Sequence, residues 1–132
     1  MHPPQHHRKN LQLITIALLG YAHITLADLP SGQQQEVQHL LAFVGNSHCT
    51  VIRNGEPHTG KEARQHIEKK YDYLRKKIKT TEAFIELSAS RSSLSGNEYQ
   101  ARCPGQPSVK SGTWLKQELM HYRQRSTALI NP

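Results

Sequence analysis

His48-Cys49-Thr50-Val51-Ile52-Arg53-Asn54-Gly55 reads as an extended strand closed by a turn, because β-branched residues gather at Thr50, Val51 and Ile52 and Asn-Gly is a turn dipeptide. A second extended stretch, Glu98-Tyr99-Gln100-Ala101-Arg102-Cys103, is its pairing partner. An antiparallel register that sets Cys49 opposite Cys103 also sets Arg53 opposite Tyr99, so the cysteines and the two strands imply one arrangement. The helices are expected to assemble on that ribbon.

The 132 residues have room for one domain with one modest core. Apolar residues make up 36% of the chain and aromatic residues 6%, which points to a small α+β core helped by a covalent staple and away from a deep catalytic interior. The formal charge of +7 favours anionic partners in general.

Compartment narrows that choice. Arg8 and Lys9 precede the apolar run Leu11 to Gly20, which has the length of a secretory leader and is too short to span a bilayer. Thr25 and Ala27 stand at the −3 and −1 positions that a signal peptidase requires, so residues 1–27 are expected to leave by cleavage after Ala27, with Gly20 and Ala22 offering an earlier site. The competing reading is a buried N-terminal helix. His2, His6, His7 and His23 depart with the leader, which removes the histidine-rich start as a metal tract. The folded domain is then 28–126, followed by a frayed tail at 127–132, and no membrane span remains after the leader is gone.

Four helices complete the expected architecture, an α+β fold around a two-stranded antiparallel ribbon with one disulfide. Ser31 is positioned to cap a helix over 32–44, with Val37, Leu40, Leu41 and Val44 on one face and Gly45-Asn46 as its stop. Thr59 and Glu62 have the spacing of a capping box, and Ala63, Ile67, Tyr71, Leu74 and Ile78 continue an apolar stripe for about five turns. Thr80 or Thr81 caps a shorter helix with Phe84, Ile85, Leu87 and Ala89 as core residues. Ser90 to Asn97 is a loop, Pro104 to Ser108 is unfit for sheet pairing, and Ser111 caps a last helix that buries Trp114, Leu115, Leu119 and Tyr122.

In an oxidising compartment Cys49 and Cys103 pair, since the chain has no Cys-x-x-Cys spacing and the register brings them to one ribbon end. His58, Glu62 and His66 recur every four residues, a spacing able to face a metal, but Glu62 is engaged by the capping box and no third cluster appears, so no metal and no cofactor is expected. Ser92-Ser93-Leu94-Ser95-Gly96 offers hydroxyls that could serve a small envelope hydrolase or transferase with His58 or His66, although no G-x-S-x-G or Ser-x-x-Lys pattern supports a nucleophile. The basic helix over 61–79 suits peripheral attachment to an anionic lipid or glycan. It lacks the interleaved aromatics of a nucleic-acid platform, so no nucleic acid is expected.

Val51-Ile52-Arg53-Asn54-Gly55, His58 with Glu62-Ala63, Phe84-Ile85, and Ser92-Ser93-Leu94-Ser95-Gly96 followed by Tyr99 together resemble a family of small exported bacterial proteins of unknown activity, over about residues 37–123. The resemblance implies a periplasmic location and one compact domain, and it carries over no catalytic residue. Under the proposed register Arg53, Asn54, Ser95 and Tyr99 converge at the ribbon end opposite the disulfide as a small polar recognition patch; the plainer role for Arg53 is to cap a carbonyl or pair with Glu98. The expected protein is a monomeric periplasmic binding or accessory module, non-enzymatic, with an envelope partner of anionic character.

Overall fold

The computed structural model describes residues 29–131 together with 2–4 and 20, so the export segment and its cleavage site lie outside the described residues. Helix α1 (Ser31–Asn46) leads into strands β1 (Thr50–Arg53) and β2 (Glu56–His58), then helix α2 (Gly60–Leu74), which tightens into a 3₁₀ turn (Arg75–Lys77). Helix α3 (Thr81–Phe84) widens directly into a π turn (Ile85–Ala89). Strands β3 (Gln100–Arg102) and β4 (Val109–Lys110) precede the last helix, α4 (Ser111–Ile130), which is helical through residues 127–130.

The strand register follows from the two cysteines. Thr50, Val51 and Ile52 face Arg102, Ala101 and Gln100 in antiparallel order. Continued by one residue either way, this register sets Cys49 beside Cys103 and Arg53 beside Tyr99, and the two cysteines are joined as a disulfide.

The ribbon is wider than two strands. The sheet has four strands in the order β2-β1-β3-β4. Asn54 and Gly55, both at positive φ, make a two-residue turn that folds β2 straight back onto β1, and Pro57 is tolerated because β2 is an edge strand that needs no amide there. At the other edge Val109 and Lys110 pair with Ala101 and Gln100 immediately after the proline-rich loop. Strands of two and three residues carry no readable alternation, which is why turn chemistry alone was visible at these positions.

The helices pack chiefly on one another. Val37, Leu40, Leu41 and Val44 of α1 meet Ala63 and Ile67 of α2, Ile78, Phe84 and Ile85, and Leu115 and Leu119 of α4, while Val51 is the strand residue in that cluster. The sheet flanks the helical core and does not form its floor. Among the described residues no helix is long and apolar enough to cross a membrane.

Helix starts correct the expected caps in part. Thr59 and Glu62 form the reciprocal capping box and Thr80 caps α3, but Ser31 and Ser111 are the first helical residues, preceded by Pro30 and Lys110 at cap positions without side-chain bonds. The α2 helix ends at Leu74 and gives way to the 3₁₀ turn; Leu87 points to solvent because the π turn rotates it away from Ile85 and Ala89, which stay buried. Trp114 and Tyr122 are half-buried beside Leu115 and Leu119, with Trp114 against Phe43 and Tyr122 stacked on His39.

Charged residues tie the helices together at their outer edge. Arg123 of α4 grips Glu36 of α1 and Glu82 of α3, and the Thr81 hydroxyl donates to Glu36 at 3.0 Å. Because Arg123 donates to Glu82, that carboxyl is held below the usual range. Lower on the same helix pair, Glu118 meets His39 at 2.7 Å and accepts from Arg125 at 3.0 Å. These contacts and burial oppose each other at Glu118, and the contacts win, leaving its pKa lowered.

Two predictions concern stability. The Cys49–Cys103 link closes a loop over a sequence separation of 54, so the Cys49→Ala/Cys103→Ala variant is expected to lose about 4 kcal/mol in denaturant unfolding on chain-entropy grounds. A Cβ at Gly60 would run into the Val44 carbonyl oxygen where α2 crosses α1, whereas one at Gly32 meets nothing. Gly60→Ala should therefore lower stability by about 1–3 kcal/mol, and Gly32→Ala should leave it unchanged or raise it by up to about 1 kcal/mol; equal melting points for the two variants would contradict this packing.

Candidate functional site

Side chains alternate along β1, so Arg53 shares the Val51 face, and Tyr99, immediately before β3, shares the Ala101 face. That face turns toward the helices: Val51, Tyr99 and Ala101 are all buried, and α2 passes over β1 and β2. Arg53 stands at its margin, half-buried, where the sheet meets α2.

Helix α2 brings two further basic groups to this seam. His66 and Lys70 are four residues apart and therefore one above the other on the helix. His66 Nε2 lies 3.3 Å from the Tyr99 hydroxyl, and the Lys70 ammonium sits 5.3 Å from the centre of the Tyr99 ring while donating to the Arg91 carbonyl oxygen at 2.6 Å. From β2, His58 Nδ1 approaches Arg53 Nη2 at 3.4 Å. Arg53, His66 and Lys70 thus surround one buried tyrosine, with His58 beside Arg53.

Little negative charge balances them. Among the described residues no carboxylate comes within ion-pair distance of Arg53 or Lys70, and Glu62 reaches the rim through His58 at 3.5 Å. Arg53 Nε is shielded from solvent and has no acceptor. Burial first, and then the charges of Arg53, Lys70, His58 and Lys69, push the His66 pKa down to about 4. Burial and Arg53 likewise lower Lys70, and burial raises Tyr99 against the opposing influence of Arg53. The His66 and Lys70 shifts record the cost of crowding positive charge where water is scarce, and the Tyr99 shift records the cost of burying a phenolate.

The expected patch of Arg53, Asn54, Ser95 and Tyr99 is divided by the structure. Arg53 and Tyr99 belong to the basic seam. Asn54 instead accepts hydrogen bonds from the Ser95 hydroxyl at 2.9 Å and from Asn97 Nδ2 at 3.3 Å, so the hairpin tip is clasped to the serine loop. Arg53 does not pair with Glu98, which joins Lys110 at 2.9 Å on the opposite edge and has a lowered pKa for that reason.

The serine loop is internally bonded as well. Ser92 Oγ accepts from the amides of Leu94 and Ser95, and Ser95 Oγ accepts from the Asn97 amide. His66 is turned to Tyr99 and His58 to Arg53. Among the described residues no group of three or more His, Cys, Asp or Glu side chains is placed to hold a metal ion.

Along the basic helix several cations are already engaged, Arg64 with Glu68 at 2.8 Å and Arg75 with Asp72 at 2.8 Å. A depression of about 540 Å³ between Pro30, Gln33, Tyr122 and Arg123 is wide, but the arginine in it is saturated by Glu36 and Glu82. Among the described residues, the partly buried cations without a carboxylate partner include Arg53 and Lys70 at the sheet–α2 seam. Lys70 was missed in the sequence although its signal was present, since 58, 62, 66 and 70 form one period-four series of which only the first three members have metal-ligand chemistry.

The chain is similar to "Uncharacterized protein YfeK" of Salmonella typhimurium, 32% identical over 74 residues that make up 55% of this chain and 62% of that protein. No solved structure matches it. The model of the family of unknown function DUF5329 matches residues 31–123, which takes in α1, the sheet, the basic seam and most of α4, and the chain belongs to that family.

Proposed function

We propose that this chain is a non-enzymatic binding or accessory module of the bacterial cell envelope, and that it recognises an anionic group on its partner through Arg53, His58, His66 and Lys70 around Tyr99. One observation carries the reading: Arg53 is half-buried with its Nε shielded and without an acceptor, next to Lys70 and two histidines and beyond reach of any carboxylate among the described residues. An arginine held this way leaves hydrogen-bonding capacity unused and repels its neighbours. A bound oxyanion would satisfy the donor and neutralise the cluster at once.

Export is supported by the disulfide, which persists in oxidising compartments, and by the leader pattern of residues 1–27. The serine-loop hydrolase loses its support, because the hydroxyls of Ser92 and Ser95 serve the loop and the hairpin tip. The lipid or glycan reading shares the anion chemistry but locates it on exposed lysines such as Lys76 and Lys77.

Titration with inorganic sulfate followed by calorimetry tests the site. The wild-type protein is expected to bind sulfate, Arg53→Gln and Lys70→Met to weaken binding by about tenfold or more each, in line with losing a charged hydrogen-bond donor, and Ser95→Ala to leave it unchanged. Unaltered affinity in Arg53→Gln would refute the site. Binding to anionic vesicles that survives Arg53→Gln would move the function to the exposed face of the helix.

A further inference from the structure

Among the described residues, the charged groups that act on His66 across the seam are all basic. Arg53 comes from β1, His58 from β2 and the Tyr99 hydroxyl from the residue that leads into β3, while Lys69 and Lys70 follow on its own helix; Glu62, one turn earlier, is drawn to His58 and to the cap amide of Thr59. The imidazole is half-buried among fixed positive charges and is therefore neutral in the anion-free protein at neutral pH. Of the groups in contact with Tyr99, His66 is the one able to change charge between mild acid and neutrality.

We propose that the anion enters this site together with a proton from solvent that settles on His66, so that the ligand is an oxyanion whose binding is coupled to proton uptake. This rests on the anion-binding reading above. The anion supplies the negative charge that His66 otherwise lacks, which makes its protonated form the favoured one in the complex. Protonation also leaves Nε2 able only to donate to the Tyr99 oxygen, and the phenolic hydrogen is then free to turn toward the anion. Arg53, Lys70 and the Tyr99 hydroxyl become three donors converging on one acceptor group, with the imidazolium donating to the Tyr99 oxygen and adding its charge.

The sign of the pH effect follows from linkage. The His66 pKa is about 4 without the anion, and it rises in the complex. Affinity is flat above the raised value, increases by up to about tenfold per pH unit as pH falls between the two values, and levels off below the lower one.

Sulfate is the suitable probe, because it stays a dianion throughout the range and contributes no titration of its own. Calorimetry at pH 5 to 7, in buffers of differing ionisation enthalpy, is expected to show uptake approaching one proton per sulfate at the acid end. His66→Gln should bind with little pH dependence and no uptake, whereas His58→Gln, which removes another member of the binding cluster, should bind more weakly but keep the pH dependence and the uptake. Sulfate binding in the wild type without proton uptake, or uptake lost in His58→Gln and kept in His66→Gln, would overturn the coupling while leaving the anion site intact. No sulfate binding in any variant at any pH would overturn the anion site itself, and the coupling with it.

Discussion

The bond between Cys49 and Cys103 is the constraint on which the arrangement turns. It joins two segments separated by 54 positions, and a link between directly opposed residues of an antiparallel pair admits one register. A slip by one residue would send Val51 and Ala101 to solvent and expose the buried phenol of Tyr99. With the register held, Arg53 is placed beside Tyr99 at the end of the pair away from the disulfide. The covalent link thus defines geometry at the site as well as limiting the freedom of the unfolded chain.

The helices use different physics. Their apolar faces close on one another, and the resulting cluster takes Val51 from the strands. Close approach of α1 and α2 is possible because Gly60 has no side chain at the crossing. At the rim Arg123 and Glu118 hold α4 to α1, each carboxylate meeting more than one donor, so the charge left in partly dry surroundings is paired.

Against that background the seam under α2 is the exception. The same protein that pairs Glu36, Glu82 and Glu118 with care leaves Arg53 and Lys70 together, partly out of water and without a carboxylate among the described residues. Locally unfavourable arrangements of this kind persist where the surrounding structure over-determines them, and they concentrate at functional sites. Here the covalent register fixes Arg53 from one side and the long α2 helix fixes His66 and Lys70 from the other. Arg64 and Arg75, by contrast, pair with Glu68 and Asp72 in more exposed surroundings.

Local chemistry was enough to reveal much of this. The Thr59–Glu62 box, the Thr80 cap, the Asn54-Gly55 turn and the pairing of the cysteines each depend on residues whose preferences act over a few positions, or on a bond that sequence order alone permits. The amino-acid order by itself therefore determined an α+β domain of four helices with a disulfide-linked antiparallel pair, down to Arg53 facing Tyr99. Tertiary structure alone decided that β2 and β4 widen the pair to a sheet, since strands of two and three residues exist only through their partners. It also decided that Asn54 and Ser95 clasp each other while Arg53 turns inward, and that Lys70 joins the site. Those outcomes depend on which face of α2 settles over which edge of the sheet, a packing choice made by the whole core and written in no single stretch of chain.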